Sequence, residues 1–280
     1  MSKMKKNLTI LALAALFCAS CGEDIERQAQ ALLGEARIAN EAQEYDKARL
    51  LLDSLRATYP KAFKARREAL ELTREVEYGQ QSRSVRFYDE QLASLTAQRD
   101  SLLREFVLEK DTRYQDEGNY MLPSQTLKSN YGLTYLRAQV SEKGVAYITS
   151  VYRGKAIEHT GVRLSVGDTF VECTEPVSRQ SSKHLGVTSE RLNFRYGADG
   201  GIMDFIASAQ GDINVKLTGK HPVSYTLRRE DASAVVKTLE LAKVLQSIES
   251  VQAMRAEAAR HIEFIQRSRE RFEGDDKPQE

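Results

Sequence analysis

The sequence predicts an α+β chain: an N-terminal helical hairpin and an antiparallel coiled-coil stalk, with a small all-β module inserted between the stalk's two helices. Three observations lead there. Glycine and proline punctuate turns, and twelve of the sixteen glycines fall between Gly118 and Gly219, while neither residue occurs between Asp231 and Glu273. Tyrosine favours strands, and eight of the twelve tyrosines lie between Tyr114 and Tyr225. Two runs of apolar residues at heptad spacing flank that middle segment, as the two halves of a coiled coil would.

The first 24 residues carry a different signal. Lys3, Lys5 and Lys6 precede an apolar run from Leu8 to Phe17 and small residues before Cys21, the layout of a secretory signal peptide. At about ten residues the run is too short for a membrane-spanning helix. Ala19-Ser20-Cys21 resembles a bacterial lipobox, which implies cleavage after Ser20 and lipidation of Cys21; Cys18 stands where that motif usually has leucine. Plain secretory cleavage is the alternative. Cys18-x-x-Cys21 has redox spacing but lacks the strand–helix context such a motif needs. Gly22-Glu23-Asp24 resembles the acidic export signal of Bacteroidota lipoproteins. The implied partner is a lipid bilayer held through Cys21, at the outer membrane, on its periplasmic or its cell-surface side.

Removing residues 1–20 takes three of the 41 basic side chains and none of the 40 acidic ones, leaving 38 against 40 and a net charge of −2. A nucleic-acid binder would show a strong basic excess, so none is expected. Cys173 is then left alone, which rules out an intramolecular disulfide and reads as a small buried hydrophobe.

Residues 21–62 hold the lipid anchor and a helical hairpin. Ala36, Tyr45, Ala48, Leu52 and Pro60 fall at tetratricopeptide spacing, and residues 29–62 resemble one such repeat. Leu55 stands where that family prefers alanine, Gln43 where it prefers glycine, and Ala39 where it prefers an aromatic. A generic αα-hairpin is the alternative. A single repeat cannot bury its own faces, so this one must pack on its neighbours.

The first long helix is expected over 63–113 and the second over 231–273. Val85, Leu92, Arg99 and Phe106, with Tyr88, Leu95 and Leu102 between them, form one seam. Leu241, Ile248, Arg255, Ile262 and Arg269 form the other, with Val244, Val251, Ala258, Ile265 and Phe272 three residues after each. Antiparallel pairing within one chain would set Leu102 near Val244, Leu95 near Val251 and Tyr88 near Ala258. A stalk of about 30 residues per helix would reach roughly 45 Å. A homodimeric coiled coil is the competing arrangement. Lys61, Lys64, Arg66, Arg67 and Arg74 interleave with Glu68, Glu71, Glu75 and Glu77, which reads as a solvated helix face.

The β module is expected over 114–230, with six or so strands in a small sandwich or barrel. Leu133–Val140 and Val145–Tyr152 read as a hairpin around Ser141-Glu142-Lys143-Gly144. Asp168–Cys173 and Arg191–Tyr196 are further strands, and Ile202 to Ala209 a short helix after Asp199-Gly200-Gly201. Ile213–Thr218 and Val223–Arg229 close the module around Gly219-Lys220-His221-Pro222. The stretch from Phe205 through Tyr225-x-Leu227 resembles a module of Bacteroidota hypothetical lipoproteins, a likeness that implies no activity. Residues 274–280 read as a disordered tail.

No phosphate loop, His-Glu-x-x-His or Gly-x-Ser-x-Gly motif is present. His159 with Asp168 and a nearby serine forms a triad only on paper, because triads have no fixed spacing. His159, His184 and His221 match no metal-ligand spacing, and His261 lies on the second seam helix. Tyr131, Leu133 and Tyr135 would share one face of an extended chain, as a glycan platform or as cross-strand packing. The expectation is therefore a non-enzymatic binding or scaffold lipoprotein with a protein partner in the envelope. It has no catalytic, metal or cofactor residues, and Cys21 is its one assigned site. The alternative is an envelope- or glycan-directed hydrolase with its site in the β module.

Overall fold

The computed structural model describes residues 23–275, with side chains through residue 270; Cys21, the expected signal peptide over 1–20 and most of the expected 274–280 tail lie outside the described residues. The fold is α+β, with two antiparallel sheets. It divides into two compact units, residues 23–90 with 253–275, and Gln91–Gln252.

In the first unit, helix α1 (23–41), helix α2 (Tyr45–Thr58) and the start of helix α3 (Phe63–Leu103) share one apolar cluster. Ala36, Ala48, Ala65 and Ala69 are fully buried in it. Small side chains at those positions let the helix backbones approach closely, while Leu33, Leu52 and Leu55 fill the space between. Gln43 ends α1 in the left-handed region at φ +60°. Around it, the Glu44 N–H bonds the Ala39 carbonyl and the Gln43 N–H bonds Asn40, the two bonds of a Schellman turn. Glycine takes that conformation freely and glutamine does not. Gly79 has a packing reason inside a long helix: an added Cβ would come within 2.6 Å of the Tyr45 ring.

Helix α5 (Arg229–Asp275) contributes residues to both units, as α3 does. In the first unit Arg255 pairs with Asp89 at 2.5 Å and Arg269 with Glu75 at 3.3 Å. The order along α5 is the reverse of that along α3, so the two segments run antiparallel there. Seam residues Ala258 and Ile265 are buried, Ile262, Val85 and Tyr88 half-buried, and most of their neighbours exposed. In the second unit Lys237 pairs with Glu105, Leu241, Val244 and Ile248 are buried, and Leu92, Leu95 and Leu102 half-buried.

The expected helix over 63–113 stops ten residues early, at Leu103. Phe106, read as a seam position, is 9% exposed and belongs to the core of the second unit. The chain turns there, with the Phe106 N–H on the Leu103 carbonyl, so that Val107–Glu109 can pair as a strand.

Ten strands fill the second unit. The six-stranded sheet runs in the order β1 (Val107–Glu109), β2 (Asn119–Met121), β3 (Tyr135–Ser141), β4 (Ala146–Gly154), β8 (Val187–Arg195), β7 (Ser178–His184). The four-stranded sheet runs β10 (Val223–Thr226), β9 (Asn214–Thr218), β5 (Gly161–Val166), β6 (Thr169–Cys173). Two expected hairpins are present, β3–β4 and β9–β10. Strands β1, β2, β5 and β7 had no counterpart in the sequence reading. All seven residues of β7 are exposed, so no apolar alternation marks it. Its turn into β8 has positive φ at Leu185 and Gly186, the geometry of a two-residue hairpin loop that follows the twist of the strands.

Alternation sorts the six-stranded sheet into two faces. Leu136, Ala138, Ile148, Leu192 and Phe194 point inward and are nearly inaccessible. They share one core with Val162, Leu164, Val215 and Leu217 of the other sheet, with Ile202, Met203 and Ile206 of helix α4 (Ile202–Ser208), and with Val235, Leu241 and Ala242 of α5.

A polar clasp holds the start of α5. Asp231 has no exposed surface. It accepts from Gln125 Nε2 at 2.8 Å, Arg228 Nε at 2.8 Å and Arg228 Nη2 at 2.7 Å. Arg228 also donates to Asn130 Oδ1 at 2.6 Å, and Gln125 Oε1 accepts from the Ala138 N–H at 2.9 Å. The side chain of Gln125 thus replaces a strand partner along the free edge of β3, and the acid sits in the first turn of α5, where the helix dipole favours it. Asp231→Ala should cost about 2–4 kcal/mol in urea unfolding, because it strands buried donors; the partial exposure of Arg228 keeps the loss below that of a sealed pair. Gln43→Gly should stabilise the chain by about 0.5–1 kcal/mol in the same assay, by relieving the left-handed backbone.

Candidate functional site

The histidines do not assemble into one centre. His184 and His221 are exposed at the end of β7 and in the β9–β10 loop, and His261 is exposed on α5. Asp168 is exposed in the β5–β6 turn. The carboxylate beside His159 is Glu190 instead. Among the described residues, no three His, Cys, Asp or Glu side chains are grouped to hold a metal ion. Cys173 is buried as a free thiol, 3.8 Å from the Ala198 carbonyl. Cys21 lies outside the described residues.

His159 does meet a serine. Ser150 Oγ is 2.8 Å from His159 Nε2, and His159 Nδ1 is 3.1 Å from the Thr218 carbonyl. A carbonyl can only accept, so Nδ1 carries the proton and Ser150 donates to Nε2. Glu190 takes the backbone N–H groups of Ile157 and His159 at 2.9 and 2.5 Å. Ser150 is 0% exposed and His159 6%. A nucleophile must reach its substrate, and this serine is sealed inside the core face of β4. The pair holds the 157–160 segment against the two sheets.

The outer face of the six-stranded sheet is open to a ligand. Strand register builds it in rows. Arg137, Thr149, Asn193 and Ser178 stand side by side across β3, β4, β8 and β7. The adjacent row is Tyr135, Val151, Arg191 and Gln180. A cavity of about 160 Å³ opens on this face, lined by the residues of both rows except Tyr135, together with Gln139 and Leu127. Amides, hydroxyls and two guanidinium groups make up nearly all its polar lining, and no carboxylate lines it. Thr149 donates to Asn193 Oδ1 at 2.9 Å, which ties the two middle residues of the first row together.

Arg137 is 9% exposed. It pairs with Glu109 through Nη2, which also lies 2.9 Å from the Met121 sulfur. Its buried Nε has no hydrogen-bond partner, and neither does the buried Tyr135 hydroxyl. Burial raises the pKa of that hydroxyl, and the charges of Arg137 and Arg191 both pull it back down. Both guanidinium groups therefore act on one small region of this face. Tyr131 and Tyr135 do not present a common surface: Tyr131 is 80% exposed, while Tyr135 is buried beneath Arg228.

Sequence reading missed this cavity because its members come from four strands, one of them invisible to periodicity. The signal available was the polar residue at every second position of β3 and β8. No protein-family model, no curated protein and no solved structure matches this chain.

His159 gives the protein a pH dependence. Burial, the largest influence, pushes its imidazole below the ordinary 6.5, helped by Arg179 and opposed by the Thr218 carbonyl and Glu190. The unfolded chain then binds a proton that the folded chain refuses. This stability is complete above the unfolded pKa and is lost as pH falls toward the lowered folded value. The urea midpoint should drop from about pH 7.5 to about pH 5.5, and His159→Gln should flatten that slope.

Proposed function

We propose that the chain is an outer-membrane lipoprotein, tethered through Cys21, that acts as a non-enzymatic binding or scaffold protein in the cell envelope. In this reading α3 and α5 form the antiparallel stalk and the β-rich segment is the module it carries. The observation behind the binding role is the outer face of the six-stranded sheet, where polar side chains of four strands converge on one cavity. Supporting the stalk are the reversed ion pairs, Asp89 with Arg255 and Glu75 with Arg269 in one unit and Glu105 with Lys237 in the other. The seam residues are also more buried than their neighbours in each unit.

The tether rests on the sequence alone. Among the described residues no helix is long and apolar enough to cross a membrane.

A hydrolase is the second reading, favoured by the Ser150–His159 hydrogen bond. The full burial of Ser150 opposes it.

Three measurements test the proposal. Membrane fractionation should find the wild type in the outer membrane, whereas Cys21→Ala should release the chain into the soluble envelope fraction. Protease treatment of intact cells, probed for residues 118–229, then decides the leaflet. Cysteines placed by Leu95→Cys and Val251→Cys should crosslink within one chain; crosslinks only between chains would replace the stalk with a homodimeric coil.

A further inference from the structure

We propose that the cavity between β3, β4, β8 and β7 binds a hydroxylated monocarboxylate of about monosaccharide size, with Arg191 as the carboxylate anchor and the buried Nε of Arg137 as a second donor. The inference rests on the binding reading above, though not on the membrane tether.

Charge chooses the ligand class. The two guanidinium groups are not equivalent. Arg137 has Glu109 as a counter-ion. The Arg191 side chain makes neither an ion pair nor a hydrogen bond with the described residues. One cationic charge is thus left over in a cavity without a carboxylate of its own. A ligand bearing a single negative charge neutralises it, whereas a dianionic phosphate ester would bring one charge too many. The planar fork of a guanidinium also matches two carboxylate oxygens.

Unsatisfied hydrogen-bonding capacity selects the rest of the molecule. Arg137 Nε is buried without a partner, a cost that a ligand oxygen would remove. Gln139, Gln180, Asn193, Thr149 and Ser178 line the remainder. Side-chain amides and hydroxyls both donate and accept, as sugar hydroxyls do. Only Val151 and Leu127 are apolar among the lining residues, too few for a greasy acid. The volume of about 160 Å³ is below the ~300 Å³ at which drug-sized pockets begin. A second cavity shares Gln139, Asn193 and Ser178 with the first and continues toward Glu117, so a longer chain attached to the acid has somewhere to lie.

The test uses the full mature chain in detergent, titrated with D-glucuronate and followed by calorimetry or ligand-observed NMR. D-glucose serves as the neutral comparison and inorganic phosphate as the bare anion. Glucuronate should bind at least about tenfold more tightly than either, the factor expected of one charge-assisted contact. Arg191→Gln should weaken glucuronate about tenfold or more while leaving glucose unchanged. Arg191 stands half-exposed on β8, so its melting temperature should stay near wild type. Asn193→Ala, a second lining variant, should weaken binding by a smaller factor.

Equal binding of glucose would overturn the role of charge. Phosphate binding as tightly as glucuronate would make this a general oxyanion site. Absence of glucuronate binding at millimolar concentration, with the wild type folded, would sink the inference outright. Each of those results leaves the fractionation of Cys21→Ala untouched. The two proposals therefore fail separately.

Discussion

A carboxylate without access to water must be held by donors on every side, and Asp231 meets that demand in a way the rest of its unit depends on. Its three hydrogen bonds reach Gln125 and Arg228. Through Gln125 they reach the backbone of Ala138 in β3, and through Arg228 the loop residue Asn130. One acid thus fixes where α5 begins, covers an edge of β3 that β2 leaves open, and stacks Arg228 over Tyr135. That coverage buries the Tyr135 end of the outer face. Apolar side chains of the same size would bury just as much surface, but would leave the Ala138 N–H without a partner.

The six-stranded sheet then works as a divider. Its inward residues supply a core shared with the other sheet, α4 and the first turns of α5. Its outward residues at the same strands are mostly arginine, asparagine, threonine, serine and glutamine, with Val151 among them. Two-sided antiparallel sheets commonly show this split. Less usual here is an outward arginine that is itself nine-tenths buried, with one nitrogen left without a partner. Core and cavity are separated by a single layer of backbone, so the rigidity of one face positions the side chains of the other. The Ser150–His159 contact belongs to the inward set and serves that rigidity.

The sequence reading and the structure agree where local rules dominate. The β3–β4 and β9–β10 hairpins follow from Gly144 and Gly219 in short polar loops between apolar runs. Helix α4 follows Gly200 and Gly201, both at positive φ. Along α5, seam positions Leu241, Val244, Ile248, Ala258 and Ile265 are buried, while along α3 the seam from Val85 to Leu102 is half-buried. Agreement fails where a residue has two uses. Phe106 keeps the heptad spacing yet sits in the β core, and the first long helix ends before it. Strand β7 has no apolar residue on either face, so only its pairing with β8 makes it a strand. His159 was visible as one of four histidines, but its partners Ser150, Glu190 and Thr218 come from three strands far apart in sequence.

By itself, the sequence determined the α+β class, the antiparallel hairpins and the apolar heptad spacing, because each depends on neighbours a few residues away or on composition. It also carries the whole case for a lipid anchor at Cys21. The tertiary structure alone decided that Arg137 and Arg191 share a cavity, that Tyr135 is buried rather than presented, and that Ser150 is sealed. Those outcomes depend on strand order and register, β3-β4-β8-β7, which brings together residues more than fifty positions apart. Strand register is set by long-range pairing and by what each face buries, and no local pattern encodes which distant strand will lie alongside.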